Sequence, residues 1–458
     1  MQKENKMGVM PIPKLLLNMA LPVMISMLVQ AMYNVVDSIY ISRMPLKEEA
    51  LSAVSFAFPI QMLIIYVSTG TGVGVNSLVA RLLGQKNYED ASKAARNSCF
   101  LSVIFGLAFF AAAQTLVLPY FNLMTDNQTI ITMGYNYLTI CFSFSFFVIS
   151  TIIGERLLQS TGRTVYSMIS QMSGAITNII LDPIFIFGFG AIPAMGIKGA
   201  AIATVTGNAV SFIFSVYFNF RKNPELSFNF KGFKPDLPII KEIFRVGVPS
   251  IILQSVSSVL NMGLNTILAG FEIAAVSVFG IYCKIQSFVF MPVFGLTNSM
   301  IPIVSYNYGA GNKERIIKTI KLCCLTACCI LTLGMFLFSF GGELILKVLF
   351  DATPAMLSIG TEALRIMSLS FIPAAFGIVF SSAFQGLGNG VYSLILSVAR
   401  QLIFILPAAF IFGKIWELKG VWFSYPFAEI AGFTIAVVLF IKIYKEKIGP
   451  LPDKDQNQ

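Results

Sequence analysis

Residues 178–190 read NIILDPIFIFGFG, which places one carboxylate, Asp182, and one proline, Pro183, in a run of Ile, Leu, Phe and Gly. Asn178 precedes Asp182 by four residues, so a helix puts the amide and the carboxylate on one face. Burying a carboxylate in apolar surroundings is costly unless a charge or hydrogen bonds compensate it. The stretch therefore predicts an apolar helix with a functional polar face.

The rest of the chain is as apolar as this stretch. Of its 458 residues, 56% are hydrophobic and only 12% are charged, with a mean hydropathy of +0.77, which indicates an integral membrane protein. Runs of ~20 apolar residues, each long enough to cross the hydrocarbon core as a helix, recur twelve times. The predicted spans are 15–41, 51–80, 96–118, 132–158, 164–189, 196–220, 242–268, 273–303, 318–340, 360–384, 391–412 and 418–443.

The net charge of +10 is explained by the orientation of the chain in the membrane and does not indicate nucleic-acid binding. With the N-terminus inside, most basic residues fall on the cytoplasmic side, as the positive-inside rule requires. The segments concerned are 81–96, 221–245, 313–321 and 442–447. Both termini are predicted to be cytoplasmic, in the inner or plasma membrane of a bacterium, and no partnership with nucleic acid is expected.

The two halves of the chain resemble each other at a shift of about 225 residues. ALPVMISMLVQ (20–30) aligns with GVPSIILQSVS (247–257), and MGIKGAAIA (195–203) aligns with WELKGVWFS (416–424). Each half holds six spans, so the repeats are parallel and related by a pseudo-two-fold axis along the membrane normal. The predicted fold is all-α, with twelve transmembrane helices in two six-helix lobes. The lobes are 1–220 and 242–445, joined by a cytoplasmic linker, 221–241, and followed by a cytoplasmic tail, 446–458.

Span 1 carries a second polar stripe. Gln30, Asn34 and Asp37 are spaced by four and three residues, so they share one face of a helix. Charged residues inside a membrane are rare and commonly functional. The alternatives are buried pairing of the aspartates with a basic side chain, and, for Asn34 and Asn178, simple hydrogen bonding between helices.

Pro183 adds a further oxygen, because it cannot donate a hydrogen bond to the carbonyl of residue 179. Carboxylate, amide and carbonyl oxygens suit hard cations, so spans 1 and 5 predict a site for Na⁺ or, through a protonated aspartate, H⁺. Thr204 in span 6 either adds a hydroxyl or bonds back to its own helix. Gln30 and Tyr33 are weaker candidates, as substrate contacts.

Three further groups are candidate contacts for a substrate. Lys284 in span 8 and Arg400 in span 11 either face an anionic group, or snorkel, or pair with Glu429. Glu155, next to Arg156 near the inner end of span 4, either contacts substrate or forms an interfacial ion pair.

No enzyme signature accompanies these residues. The chain has no histidine, no Walker motif and no metal-ligand cysteine spacing. Transport would therefore be secondary, without ATP or another cofactor.

Several motifs together resemble one family. LPVMISMLVQAMYNVVDSIYIS (21–42), VARLLGQKN (79–87), TNIILDPIFIFGFG (177–190) with GIKGAAIATV (196–205), and IPIVSYNYGAGN (301–312) look like the multidrug and toxic compound extrusion (MATE) family, in particular its MepA-like bacterial branch. The resemblance covers nearly the whole chain.

The resemblance implies a cation-coupled exporter of lipophilic, often cationic, aromatic compounds. It also implies an N-lobe cation site at Asp37, Asn178 and Asp182, with Thr204 as a fourth ligand. Some branches carry acidic residues in spans 7, 8 or 10 as a cation site. Here the stretches SVSSVLNMGLNTIL (255–268) in span 7 and LSFIPAAFGIVFSSAF (369–384) in span 10 carry none, so a C-lobe cation site is not expected.

We therefore predict a multidrug efflux antiporter that works by alternating access as a monomer in the lipid bilayer. The alternative from the same superfamily is a flippase for a lipid-linked sugar or cell-wall precursor. A membrane-embedded enzyme and a channel are disfavoured, since neither clustered metal ligands nor a repeated filter-like stretch is present.

Overall fold

The computed structural model describes residues 5–44, 47–350 and 352–452, except for the side chains of Asn34, Ser42 and Lys47. Within these residues all repetitive secondary structure is helical, and the β contacts are limited to one isolated bridge between Phe189 and Ile192. The α-helices are α1 (Lys6–Val9), α2 (Ile12–Ser42), α3 (Lys47–Gly84), α4 (Tyr88–Thr115), α5 (Val117–Met124), α6 (Gln128–Ser143), α7 (Ser145–Ser160), α8 (Thr164–Phe187), α9 (Ile197–Lys222), α10 (Leu237–Ala269), α11 (Ile273–Gly309), α12 (Lys313–Phe350), α13 (Pro354–Ser368), α14 (Phe371–Gly386), α15 (Gly390–Val398) and α16 (Leu406–Ile443). Two π-helical segments, Ala399–Ile405 and Tyr444–Ile448, flank α16.

The described helices account for twelve membrane crossings. Nine helical runs are long and apolar enough to span a membrane, and two bent pairs, α6–α7 at 47° and α13–α14 at 50°, each form one more. The longest run, Gly390–Ile448, has 59 residues, more than twice the ~20 that one crossing needs. Trp416 and Glu417 within it have non-helical dihedral angles, so it contains two spans. The all-α fold with twelve predicted spans is confirmed.

Large apolar side chains are exposed along these helices. Phe340, Ile273 and Leu333 are 82%, 84% and 71% exposed, and many other Leu, Ile and Phe residues behave alike. Water disfavours so much exposed apolar surface, whereas hydrocarbon does not. The chain is a multi-pass membrane protein.

The chain divides into two compact units. The N-terminal unit is Ile25–Gly247, and the C-terminal unit is Val248–Gln458 together with Met1–Met24. Both divisions fall inside helices, α2 and α10, whereas the predicted lobes change over in the linker. The lobe boundaries at 220 and 242 stay a prediction.

The C-terminal unit is built around aromatic side chains. Phe371 meets Phe290 and Phe338 with ring centroids 5.0 and 5.1 Å apart, and Phe338 meets Tyr282 at 5.9 Å, each pair edge to face. Fully burying a side chain of this kind contributes about 1.5–3 kcal/mol.

The N-terminal residues are fastened to this same unit. Arg315 donates to the carbonyl oxygens of Met7, at 2.8 Å, and Met10, at 2.7 Å, and to Asn307 Oδ1 at 3.0 Å. Charge-assisted hydrogen bonds are stronger than neutral ones, so Arg315 ties α1 to the turn between α11 and α12.

The repeat is visible in backbone conformation as well as in sequence. Gly196 before α9 has φ 56° and ψ −132°, and the aligned Glu417 has φ 52° and ψ −141°. This region is strained for any residue with a Cβ. The second half therefore carries a strained Glu where the first half has Gly.

We expect Glu417→Gly to stabilise the protein by about 1 kcal/mol, because it relieves this strain. Gly196→Ala should destabilise it by a similar amount. Thermal unfolding of the two purified variants measures both effects. A lower melting temperature for Glu417→Gly would contradict the assignment of strain.

Candidate functional site

Helices α8 and α9 of the N-terminal unit pack at very short range because small residues line their contact. A Cβ on Gly207 would lie 2.7 Å from the carbonyl oxygen of Gly174. Ser170 and Ser211 each donate a hydroxyl hydrogen bond of 2.8 Å to the other's carbonyl oxygen. Small residues let helix backbones approach closely in membranes, and this approach holds the polar face of α8 against α9.

The predicted Asn178, Asp182 and Thr204 meet at this contact. The Asn178 amide nitrogen donates to Asp182 Oδ1 at 3.3 Å and to Thr204 Oγ1 at 3.4 Å. Asn178 is 3% exposed and Asp182 is fully buried. One amide group therefore orients both a carboxylate and a hydroxyl from two helices.

Pro183 follows Asp182 inside α8, so the carbonyl of Ile179 lacks the amide that would normally bond to it. The helix continues to Phe187 and ends at Gly188, which has φ 82° and ψ 149°. The chain then reverses direction. The backbone amide of Met195 donates a hydrogen bond to the carbonyl of Phe185, and that of Gly196 donates one to the carbonyl of Ile186. This turn fixes the start of α9 beside the end of α8.

Asp37 on α2 lies within electrostatic range of this contact. Its carboxylate interacts electrostatically with Asp182, and Tyr33, one turn earlier, interacts electrostatically with both aspartates. The backbone of Asn34 belongs to α2, but its side chain lies outside the described residues. The fold thus brings Asn178, Asp182 and Thr204 into hydrogen-bond contact and puts Asp37 and Tyr33 within electrostatic range of Asp182.

Three buried oxygens in this cluster have no hydrogen-bond partner among the described residues: Asp37 Oδ1, Asn178 Oδ1 and Asp182 Oδ2. A buried acceptor left unsatisfied normally costs ~1–3 kcal/mol, and more when it is charged. All three are hard oxygen donors, so a monovalent cation or a proton would satisfy them. The oxygens present are of the kind that a hard monovalent cation prefers.

Two residues of this neighbourhood escaped sequence reasoning. Tyr137, buried on α6, interacts with the side chains of Gln61 and Cys141 and with the charge of Asp37. Gln61 is one of two amide side chains in the apolar span 2, with Asn76, and such an amide could have marked it as a candidate. Tyr137 gave no such signal, because an isolated tyrosine in an apolar span resembles an ordinary packing residue.

The remaining predicted contacts are distributed over both units. Gln30 accepts a 3.0 Å hydrogen bond from Gln171 on α8. Glu155 and Arg156 are 7% and 9% exposed, and Arg156 donates to Gln159 at 3.1 Å.

In the C-terminal unit, Lys284 is exposed and Arg400 pairs with Glu429 at 3.3 Å. The pairing with Glu429 is one of the alternatives that the sequence leaves open for Arg400. Within the described residues no group of three or more His, Cys, Asp or Glu residues is arranged to hold a metal ion.

Comparison with known proteins identifies relatives over almost the whole chain. The MatE family model matches twice, at residues 22–184 and 249–411, two ranges of equal length. Multidrug export protein MepA of Staphylococcus haemolyticus is 28% identical over 416 residues, covering 91% of this chain and 90% of the relative. The MepA protein of Staphylococcus aureus is 26% identical over 439 residues, covering 96% and 95%.

Solved structures also resemble this chain over almost its whole length. A multidrug resistance MATE family transporter in an outward-facing conformation superposes with a TM-score of 0.89 at 27% identity, covering 97% of this chain and 99% of that one. A MATE protein in complex with MaL6 superposes with a TM-score of 0.90 at 27% identity, covering 97% and 100%.

Gly207 gives a direct test of the α8–α9 contact. We expect Gly207→Ala to destabilise the protein by about 1–3 kcal/mol, because its Cβ would collide with backbone rather than with a movable side chain. Thermal unfolding in detergent measures this change. Gly280→Ala is the matched control, because a Cβ there meets nothing within 4 Å and alanine favours the helix by up to ~1 kcal/mol. Equal melting temperatures for the two variants would contradict the close packing.

Proposed function

The chain belongs to the MatE family, and from that premise we propose that it is a multidrug efflux antiporter. It exports lipophilic, cationic and aromatic organic compounds in exchange for Na⁺ or H⁺. The family and the named relatives are export proteins, so the chain is not an enzyme and needs no cofactor. Its family places it among bacterial multi-pass membrane proteins.

The coupling site that we propose consists of Asp37, Asn178 and Asp182, with Thr204 and Asn34 as further ligands. The observation that carries this proposal is the set of three unsatisfied buried oxygens on the first three of these residues. No basic side chain contributes a salt bridge to either aspartate among the described residues, so the compensating charge has to come from a mobile ion. That requirement is what makes the site suitable for coupling.

The proposed mechanism follows from electrostatics. Two carboxylates close together in a low-dielectric interior repel each other and lack solvation. A bound cation or proton removes the repulsion, so α2 can pack against α8 and α9. Loss of the cation makes that packing unfavourable again. Since binding changes the relative free energies of the two packings, it shifts the population between them.

In the exchange cycle, cation entry favours the packing that releases drug outward. Cation loss permits reloading from the inside. The amide nitrogen of Asn178 orients the other two ligands, because it donates hydrogen bonds to both Asp182 and Thr204. Gln30, Tyr33, Glu155, Lys284 and Arg400 remain proposed substrate contacts.

The topology that accompanies this mechanism is also proposed. Both termini are cytoplasmic in the inner or plasma membrane, and the lobes 1–220 and 242–445 are joined by the linker 221–241. The protein acts as a monomer, because each chain carries a complete coupling site.

Transport in reconstituted vesicles tests the coupling. We expect a fluorescent cationic dye to be moved by an imposed Na⁺ or H⁺ gradient, and the doubly substituted Asp37→Asn/Asp182→Asn protein to lose at least about 90% of that rate, since neither amide can exchange a charge. Asp126→Asn, at an exposed position on the α5–α6 loop, is the matched control and should keep the wild-type rate.

Dye transport that survives the double substitution would reject the N-lobe coupling site. Movement of a lipid-linked sugar instead of dye would favour the flippase.

Thermal stability gives an independent test. We expect Asp182→Asn to melt at or above the wild-type temperature in choline buffer at neutral pH, because it removes an uncompensated buried carboxylate. The expected gain in the free energy of unfolding is at most ~1–3 kcal/mol. Adding Na⁺ or lowering the pH should stabilise the wild type by binding linkage. The double variant should not respond. An equal response in both proteins would place the cation elsewhere.

A further inference from the structure

A groove of about 440 Å³ runs along the exposed face of α12 in the C-terminal unit. Successive turns of this one helix form it, because its lining residues recur every three or four positions. The lining residues are Glu314, Ile317, Lys318, Lys321, Leu322 and Leu325. The opposite face of α12, with Ile316, Ile320 and Cys323, is buried in the core of the unit. This α12 groove is therefore open to the surroundings of the protein.

The groove lies where α12 enters the hydrocarbon core of the membrane. The stretch 322–342 contains no charged residue, and at ~1.5 Å per residue it is about 30 Å long, which matches the thickness of that core. Lys318 and Lys321 come just before this stretch and are exposed, whereas Leu322 and Leu325 lie in its first turn. The groove thus has a basic half at the level of the lipid headgroups and an apolar half at the level of the acyl chains.

The same face of α12 continues as an exposed apolar surface. Leu325 is 63% exposed, and the exposed Leu333, Phe336 and Phe340 follow it at helical spacing. Hydrocarbon accepts such a surface, whereas water disfavours it. Lipid chains are therefore the surroundings into which the apolar half of the groove opens.

The first half of the chain contains a counterpart of this helix end, at the start of α4. The internal repeat aligns residues 84–91 with residues 309–316, and it pairs Lys93 with Lys318 and Arg96 with Lys321. Lys93 Nζ lies 3.0 Å from Glu89 Oε1 and 2.9 Å from Asp90 Oδ1. Arg96 donates a 2.8 Å hydrogen bond to the carbonyl oxygen of Asn229. Groups of the protein therefore engage both basic side chains in the first half.

The second half does not provide these partners. Arg315 stands at the position aligned with Asp90, and its guanidinium donates to backbone carbonyls of the N-terminal segment. Glu314, aligned with Glu89, forms no ion pair with Lys318, and within the part of the chain that the structure describes neither Lys318 nor Lys321 has a side-chain hydrogen bond or ion pair. The two positive charges of the groove are thus open to an external partner.

Charge and polarity restrict what that partner can be. The lining combines two lysines with one glutamate, so positive charge is in excess at the headgroup level. Lysine binds phosphate groups as a point charge, and basic side chains beside a membrane helix attract anionic lipids. A small soluble anion would leave Leu322 and Leu325 unused, and a zwitterionic lipid brings a cation of its own to the lysines. An anionic phospholipid is complementary to both halves.

From this geometry we propose that the α12 groove binds one anionic phospholipid. Its phosphate lies between Lys318 and Lys321, and an acyl chain lies along Leu322 and Leu325. The proposal concerns binding and does not rest on the proposed export function or on the coupling ion.

Native mass spectrometry of the full-length protein, purified in detergent, tests the proposal. It measures Kd for phosphatidylglycerol and for phosphatidylcholine with identical acyl chains. We expect Lys318→Gln/Lys321→Gln to weaken phosphatidylglycerol binding at least about tenfold, because both charges facing the phosphate are lost. Its affinity for phosphatidylcholine should stay within about twofold of the wild-type value.

Two further variants test the sign of the effect. Lys318→Arg/Lys321→Arg keeps both charges and should keep the preference for phosphatidylglycerol. Glu314→Gln removes the acidic side chain of the lining and should strengthen phosphatidylglycerol binding about threefold. All of these side chains are exposed, so the variants should fold, and an unchanged melting temperature in lipid-free detergent checks this.

Lys93→Gln/Arg96→Gln is the matched control, because it removes the same charge from the aligned positions of the first half. It should leave the preference for phosphatidylglycerol within about twofold of the wild-type value. This control separates a lipid site on α12 from a general effect of net charge.

The proposal is overturned if the folded Lys318→Gln/Lys321→Gln protein keeps the wild-type preference within about twofold, or if the control loses as much of it. Displacement of phosphatidylglycerol by equimolar glycerol phosphate would also overturn it, since the acyl chain would then contribute nothing. The same spectra report the oligomeric state. A dimer that disappears in Lys318→Gln/Lys321→Gln, without any lipid preference in the wild type, would assign the groove to a second copy of the chain instead.

Discussion

A carboxylate inside an apolar helix bundle has to be neutralised, and this protein meets that constraint in two different ways. In the N-terminal unit, Asp37 and Asp182 interact electrostatically, and three oxygens of the cluster have no donor among the described residues. In the C-terminal unit, Glu429 is paired with Arg400. In the coupling that we propose, the first arrangement takes a mobile positive charge, whereas the second already contains a fixed one.

This difference explains why two related halves need not do the same work. Span 7 carries no acidic residue over SVLNMGLNTIL (258–268), and span 11 is apolar over FILPAA (404–409), the stretch that corresponds to Asn178 and Asp182. Leu264, Ile405 and Ala409 are buried there. The second half therefore has buried apolar side chains where the first half has its polar face, and it carries the charges of Arg400 and Glu429 at other positions.

Helix packing supports both clusters through small residues. Gly174 and Gly207 bring α8 and α9 into backbone contact, which places Asn178 where it reaches Asp182 and Thr204. Gly432 allows the stem of Arg400 to lie against α16. In hydrocarbon, where apolar burial does not drive helices together, such close contacts and interhelical hydrogen bonds determine which side chains meet.

The sequence by itself determined the features that depend on neighbours along the chain. Hydropathy located the twelve spans, the internal repeat divided them six and six, and the four-residue spacing placed Asn178 and Asp182 on one face. The sequence also predicted Asp37 as a member of this site, and the tertiary structure puts Asp37 and Tyr33 within electrostatic range of Asp182 and adds Tyr137 and Gln61. It also chose Glu429, among the open alternatives, as the partner of Arg400, and placed the unit divisions inside α2 and α10. Spans that are apolar on nearly every side give no periodicity from which to read the buried face, so contacts between helices depend on how their small residues fit.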